Sequence, residues 1–359
     1  MPTLGPSTLD HPLANGIPPN WAAAWGDDDF GPWVEIHVGD AKQSLRWIPP
    51  GTFLMGSLEI PPEWEGYSET PQQTTTISRG FWLFDTPCTQ ALWEVVMGEN
   101  PSRFKGPSRP VENVSWHDCQ QFVEALNSQL PDLQLALPTE AEWEYACRAG
   151  TDTSTYAGDL TIDKNGHADG LEQVAWYTAN SENETHDVAE LQPNEWGLYD
   201  TLGNVWEWCS DNVGRQYTSD AVSNPICVTD DTSALRVIRG GGWGLSALLV
   251  RAAYRFGLHP DVRDDSLGFR CSSSGEPGGQ GGGPERSGRS RRGAGGDSAV
   301  KSDESRVVIR LSLRKSVVCL SFSKGPASTS RQIARACPSR NYRLAMSSGN
   351  PARHWTEDG

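Results

Sequence analysis

The sequence has no CxxC pair among its eight cysteines and no apolar run approaching the ~20 residues that span a bilayer. Scattered single cysteines in a chain of 359 residues read as reduced thiols, so neither a disulfide scaffold nor a zinc site is expected. The start, MPTLGPSTLDHPLANG, lacks a basic stretch followed by an apolar one. With no membrane span and no secretory signal visible, the expected location is cytoplasmic. There is also no P-loop, no GxGxxG after a strand, no HExxH, no GxSxG and no internal repeat. The seven histidines are far apart without ligand-like spacing and read as ordinary surface or core residues. Gly240-Gly241-Gly242 precedes an aromatic and opens no helix, which suggests close backbone packing and not a phosphate cradle.

What is present is unevenly divided. Residues 272–359 carry 15 Lys and Arg against 7 Asp and Glu, whereas residues 1–271 carry 15 against 39. The first part also holds 14 of the 15 tryptophans; only Trp355 lies beyond. An acidic, Trp-rich body thus gives way near Cys271 to a Gly/Ser/Arg-rich tail too poor in apolar side chains to offset its ordering entropy. Disorder is the expectation for 272–359, although 306–323 (RVVIRLSLRKSVVCLSFS) is apolar enough to pair as a strand, without a clear partner. A body this acidic argues against nucleic acid, which needs a basic face.

Three helices have readable ends. Thr89 caps one that runs to Gly98, and Ser115 precedes an apolar stripe of Cys119, Phe122, Val123, Leu126 and Leu130. Thr139 and Glu142 form a capping box ahead of Trp143, Ala146 and Cys147. Short apolar runs at 46–48, 81–84 and 236–239 sit between Gly/Pro/Asn-rich loops, so the expected class is a loop-rich α+β domain.

FLMGS at 53–57, PVENVSW at 110–116, LPTEAEWEYACR at 137–148, NEWGLYDTLGNVWEWCSD at 194–211, RVIRGGGW at 236–243 and LGFR at 267–270 follow one another in that order. Together they resemble the formylglycine-generating enzyme and sulfatase-modifying factor family, over about 44–271. The resemblance implies that family's C-type-lectin-like fold, with 1–43 as a lead-in packed on the body. The family's active enzymes oxidise a substrate cysteine with two cysteines placed two and seven residues after the Trp of the RGGSW-type motif, where they hold Cu(I). Those positions are Leu245 and Val250 here, so no catalytic residue and no copper are expected. A metal-dependent oxidase of the same family is the alternative. The resemblance further implies a Ca²⁺ held by Asp200 and Glu207 side chains with the carbonyls of Gly203 and Val205; otherwise these carboxylates bond loop amides.

Residues 244–266 are the most informative stretch. The family framework persists at Arg239, Trp243, Arg251, Arg255, Pro260, Asp261, Arg263 and Arg270. Between these points stand Gly244, Leu245, Ser246, Leu248, Leu249, Tyr254, Phe256, Leu258, His259, Val262, Asp264, Asp265 and Ser266, each of a type encoded by a codon differing from AAC only at its adenines. That pattern is similar to the variable proteins of diversity-generating retroelements, which use this fold. The implied function is ligand binding, without catalysis, to a protein or other macromolecular partner through Trp243 and these positions. Exposed Leu, Tyr, Phe and His would serve as anchors there, with Val250 assigned to the core beneath.

Overall fold

The computed structural model describes residues 11–58, 69–274, 307–313, 316–322 and 345–346, and the chain divides into units Met1–Gly279 and Gln280–Gly359. In the first unit a six-stranded sheet has the order β1 (Ala24–Asp28), β2 (Gly31–Val38), β3 (Ala41–Ile48), β6 (Phe81–Phe84), β13 (Ser272–Ser273), β7 (Leu135–Ala136). A second sheet has four strands: β11 (Arg255–Leu258), β10 (Arg236–Arg239), β8 (Trp206–Asn212) and β12 (Leu267–Gly268). A third pairs β4 (Gly51–Met55) with β5 (Gln73–Ile77) and β9 (Val222–Ser223). The expected loop-rich α+β class is what forms.

Strands lie at both ends of the stretch 44–271. Residue 43 lies inside β3, whose Leu45 and Ile48 pair with Phe84 and Phe81 of β6, and β1 and β2 continue the same sheet. At the other end Ser272 pairs with Leu83 and with Ala136, which carries the body past Cys271. Both hydrogen-bonding edges of this short strand are used, and that fixes it without any long apolar run.

The helices start where the caps direct. Helix α1 (Gln90–Met97) has the Thr89 hydroxyl accepting from the Leu92 amide, and Gly98 ends it in the left-handed region. Helix α2 (Trp116–Gln129) begins with a reciprocal box between Ser115 and Asp118, and α3 (Glu140–Arg148) with one between Thr139 and Glu142. The apolar stripe of α2 buries Cys119, Phe122, Val123 and Leu126. Phe122 stacks on Trp93 of α1 with centroids 5.5 Å apart, and Phe269 meets both rings edge-on. Fully burying aromatic side chains of this kind contributes roughly 1.5–3 kcal/mol each, which lets a sheet of short strands hold together around long loops.

The second unit contains β14 (Val307–Leu313) paired antiparallel with β15 (Ser316–Phe322), and β16 (Ala345–Met346) on the other edge of β14. The apolar segment 306–323 thus finds its partner within itself. The expectation of disorder for the rest of 272–359 lies outside the described residues. Among the described residues no helix is long and apolar enough to cross a membrane.

Candidate ligand-binding surface

The framework arginines explain how 239–270 is held. Arg239 is fully buried and donates from Nη1 to the carbonyls of Ala253 and Tyr254, 2.7 Å each, while Nη2 holds Glu144 of α3. Arg255 grips both oxygens of Glu140, at 2.5 and 2.7 Å. Arg251 donates to Glu69 at 2.8 Å and to the Leu248 carbonyl at 2.7 Å. Arg270 binds both oxygens of Glu207, 2.7 Å each, and Arg263 binds both oxygens of Asp118 at the start of α2. Burial alone would raise the Glu140 carboxyl, but Arg255 and Arg239 beside it bring it below the ordinary range. Four of these five pairs are buried, so each guanidinium is a fixed post from which the intervening backbone is strung.

Gly240 and Gly241 both have positive φ. A Cβ on Gly240 would lie 3.0 Å from the Thr201 carbonyl oxygen and 3.1 Å from the Trp143 ring. The triple glycine is therefore a close-packing device, as expected. Beyond it Trp243 is half-buried, its indole donating to the Asp265 carbonyl at 2.9 Å, which ties the start of the loop to its end. The loop's second half is clamped to α2, where the Trp116 amide donates to the Pro260 carbonyl at 3.0 Å.

Of the expected ligand-contacting residues, Gly244 and Ser246 are exposed. Trp243, Leu245, Leu248, Leu249, Phe256, Leu258, His259, Val262, Asp264, Asp265 and Ser266 are half-buried. Leu245, Leu249, Phe256, Leu258 and Val262 pack their inner faces on the core. Tyr254 is a correction: it is buried, its ring tilted against Trp206 at 5.7 Å, because Arg239 holds the 253–254 backbone inward. Val250 is wholly buried beside Ala247 and Trp143, as assigned.

The carboxylates expected to hold calcium are otherwise engaged. Glu207 accepts from Arg270 on both oxygens and from the Trp143 indole at 2.7 Å. Asp200 accepts from the Ala189 amide at 2.8 Å and from the Asn204 amide group at 3.3 Å. Burial pushes the Asp200 carboxyl up to about 6. Three donors fill three of the four acceptor directions of the Glu207 carboxylate and Oε1 keeps one, so a Ca²⁺ held by Asp200, Gly203, Val205 and Glu207 would share Glu207 with Arg270, whose positive charge opposes the cation. Among the described residues no three His, Cys, Asp or Glu side chains converge on a metal position. The six described cysteines are unpaired, and burial pushes the thiols of Cys88, Cys119, Cys147, Cys209 and Cys271 up, away from thiolate chemistry.

Sequence reasoning missed the neighbours that complete this surface. Phe104 sets its ring edge-on to Trp243 at 5.5 Å, and Arg103 lies over Phe104 at 4.6 Å while pairing with Asp265. Arg236 lies over the Trp116 ring at 3.9 Å. Glu112 and Trp116 stand in PVENVSW, and the acid between two buried valines was the available signal.

A C-type-lectin-like α+β domain with its loop 244–266 strung on buried arginines defines a sulfatase-modifying-factor type scaffold. Residues 38–274 match the sulfatase-modifying factor enzyme 1-like domain, and the chain belongs to that family. It is 34% identical over 192 residues to the formylglycine-generating enzyme of Streptomyces coelicolor, covering 51% of this chain and 58% of that protein. It is 30% identical over 211 residues to the inactive C-alpha-formylglycine-generating enzyme 2 of Bos taurus, covering 56% and 61%. The chain thus spans little more than half the length of these relatives. Among solved structures, Treponema denticola variable protein 1 superposes with a TM-score of 0.58 at 30% identity, over 67% of this chain and 99% of that one.

Proposed function

We propose that the protein is a non-catalytic binder whose surface at 244–266 grips a protein or other macromolecular ligand, in the manner of a retroelement-diversified variable protein. One observation carries the reading: the arginines of the stretch are tied to acidic partners, while most residues between them reach the surface. Such a division lets the surface change its side chains without unseating the backbone. The likeness to Treponema denticola variable protein 1 supports it, as do Leu245 and Val250 at the two positions where the oxidising relatives need sulfur. Half-buried leucines with a phenylalanine and a histidine on a fixed backbone supply contact area at low ordering cost.

The DNA around the gene tests the diversified form of this reading. An adenine-rich template copy of codons 236–270 beside a reverse transcriptase is the expected result. The binding role is tested against the oxidase alternative with a cysteine-containing peptide, Cu(I) and oxygen. Unchanged thiol is expected, and aldehyde formation would overturn the proposal.

A further inference from the structure

The half-buried surface does not stop at 244–266. Glu112, wholly buried, accepts from the amides of Arg103 (2.5 Å) and Phe104 (2.8 Å) and from the Asn113 side chain (2.7 Å). These bonds fix the backbone from which Phe104 reaches Trp243 and Arg103 reaches Asp265. The Arg103 side chain is half-exposed, at 51%, against 21% for Asp265. Asp265 stands between framework positions and Arg103 outside the stretch altogether. One exchangeable carboxylate therefore decides whether an accessible guanidinium is neutralised.

We propose that Arg103 and Phe104 form a fixed lobe of the ligand surface and that Asp265 sets its preference, so that the lobe seats an apolar or aromatic side chain of a protein partner. This rests on the reading of 244–266 as a binding surface. With Asp265 present, the lobe offers two half-buried aromatic rings and a guanidinium whose charge is already answered. Without the carboxylate, the same guanidinium offers a planar two-donor fork, which selects carboxylates.

The test uses the full chain and a random peptide library displayed on phage. Peptides selected on the unaltered protein should be rich in aromatic and apolar residues and should lose about tenfold in affinity on F104A. F104L, which keeps the packing on Trp243, should lose less, and matching melting curves identify folded variants. Selection on D265N should enrich Asp and Glu, and R103Q/D265N should abolish that enrichment. If binders weaken on L249S yet ignore F104A, and D265N selects the same composition, the lobe is refuted while the surface at 244–266 stands. If no selected peptide responds to L248S or L249S, both fall.

Discussion

Arg255 and Glu140 face each other with two hydrogen bonds of 2.5 and 2.7 Å, joining the edge strand β11 to the first turn of α3 where solvent does not reach. The Glu140 amide in turn donates to Asp211 at 2.8 Å, so three elements meet at one residue. Removing Arg255 leaves the buried Glu140 charge to the more distant Arg239, 3.8 Å away and already paired with Glu144. R255M should therefore lower stability by about 3–5 kcal/mol, while E140L/R255M, which removes both charges, should recover much of that loss. Urea unfolding of the two variants against the unaltered protein measures the difference.

Several buried carboxyls give stability a pH dependence of known sign. Burial pushes Glu112 up to about 7 and both Asp200 and Asp211 up to about 6. Between the ordinary carboxylate range and these values the folded protein holds more protons than the unfolded chain. The contribution is present in full below the ordinary range and is lost as pH rises through 6 to 7. Each group adds a slope of up to about 1.4 kcal/mol per pH unit in its window. Unfolding followed from pH 5 to pH 8 should show stability falling with pH, and E112Q should flatten the upper part of the curve.

Where each end of a structural feature lay close in sequence, it was legible. The Thr139–Glu142 box and the Thr89 cap act across three residues, so α3 and α1 could be read directly. Strand β13 could not, because two serines owe their place to Leu83 and Ala136, far away in the chain. The same holds for the surface. The framework arginines were visible as fixed points, but the acids that fix them, Glu69, Glu140, Glu144 and Glu207, are assigned only by folding. Tyr254 departs from the expected surface for that reason: its codon type groups it with the residues between the framework points, and the Arg239 bond to its carbonyl and its packing on Trp206 hold it inward.

Calcium should not matter to this body. With Glu207 bonded to Arg270 and Trp143, a cation would have to share Oε1 with a buried guanidinium whose positive charge opposes it. Adding millimolar CaCl₂ or EDTA should leave the melting temperature unchanged. A calcium-dependent rise would mean that Glu207 takes a cation beside Arg270, and E207Q should then abolish it.

A graded series along the loop separates its supports from its surface. Val250 fills space against Gly241, whose Cβ position lies 3.0 Å from a Val250 methyl, so V250A should cost about 2 kcal/mol through the void it leaves. Tyr254 packs on Trp206 out of solvent, and Y254A should cost about 3–5 kcal/mol, the range for emptying a buried aromatic site. Ser246 is exposed and Leu248 half-buried, and S246Y and L248S should each stay within about 1 kcal/mol of the parent. Melting curves on the four variants give the order. If the exposed and half-buried positions prove as costly as Val250 and Tyr254, the loop is packing throughout and has no side chains to spare for a ligand.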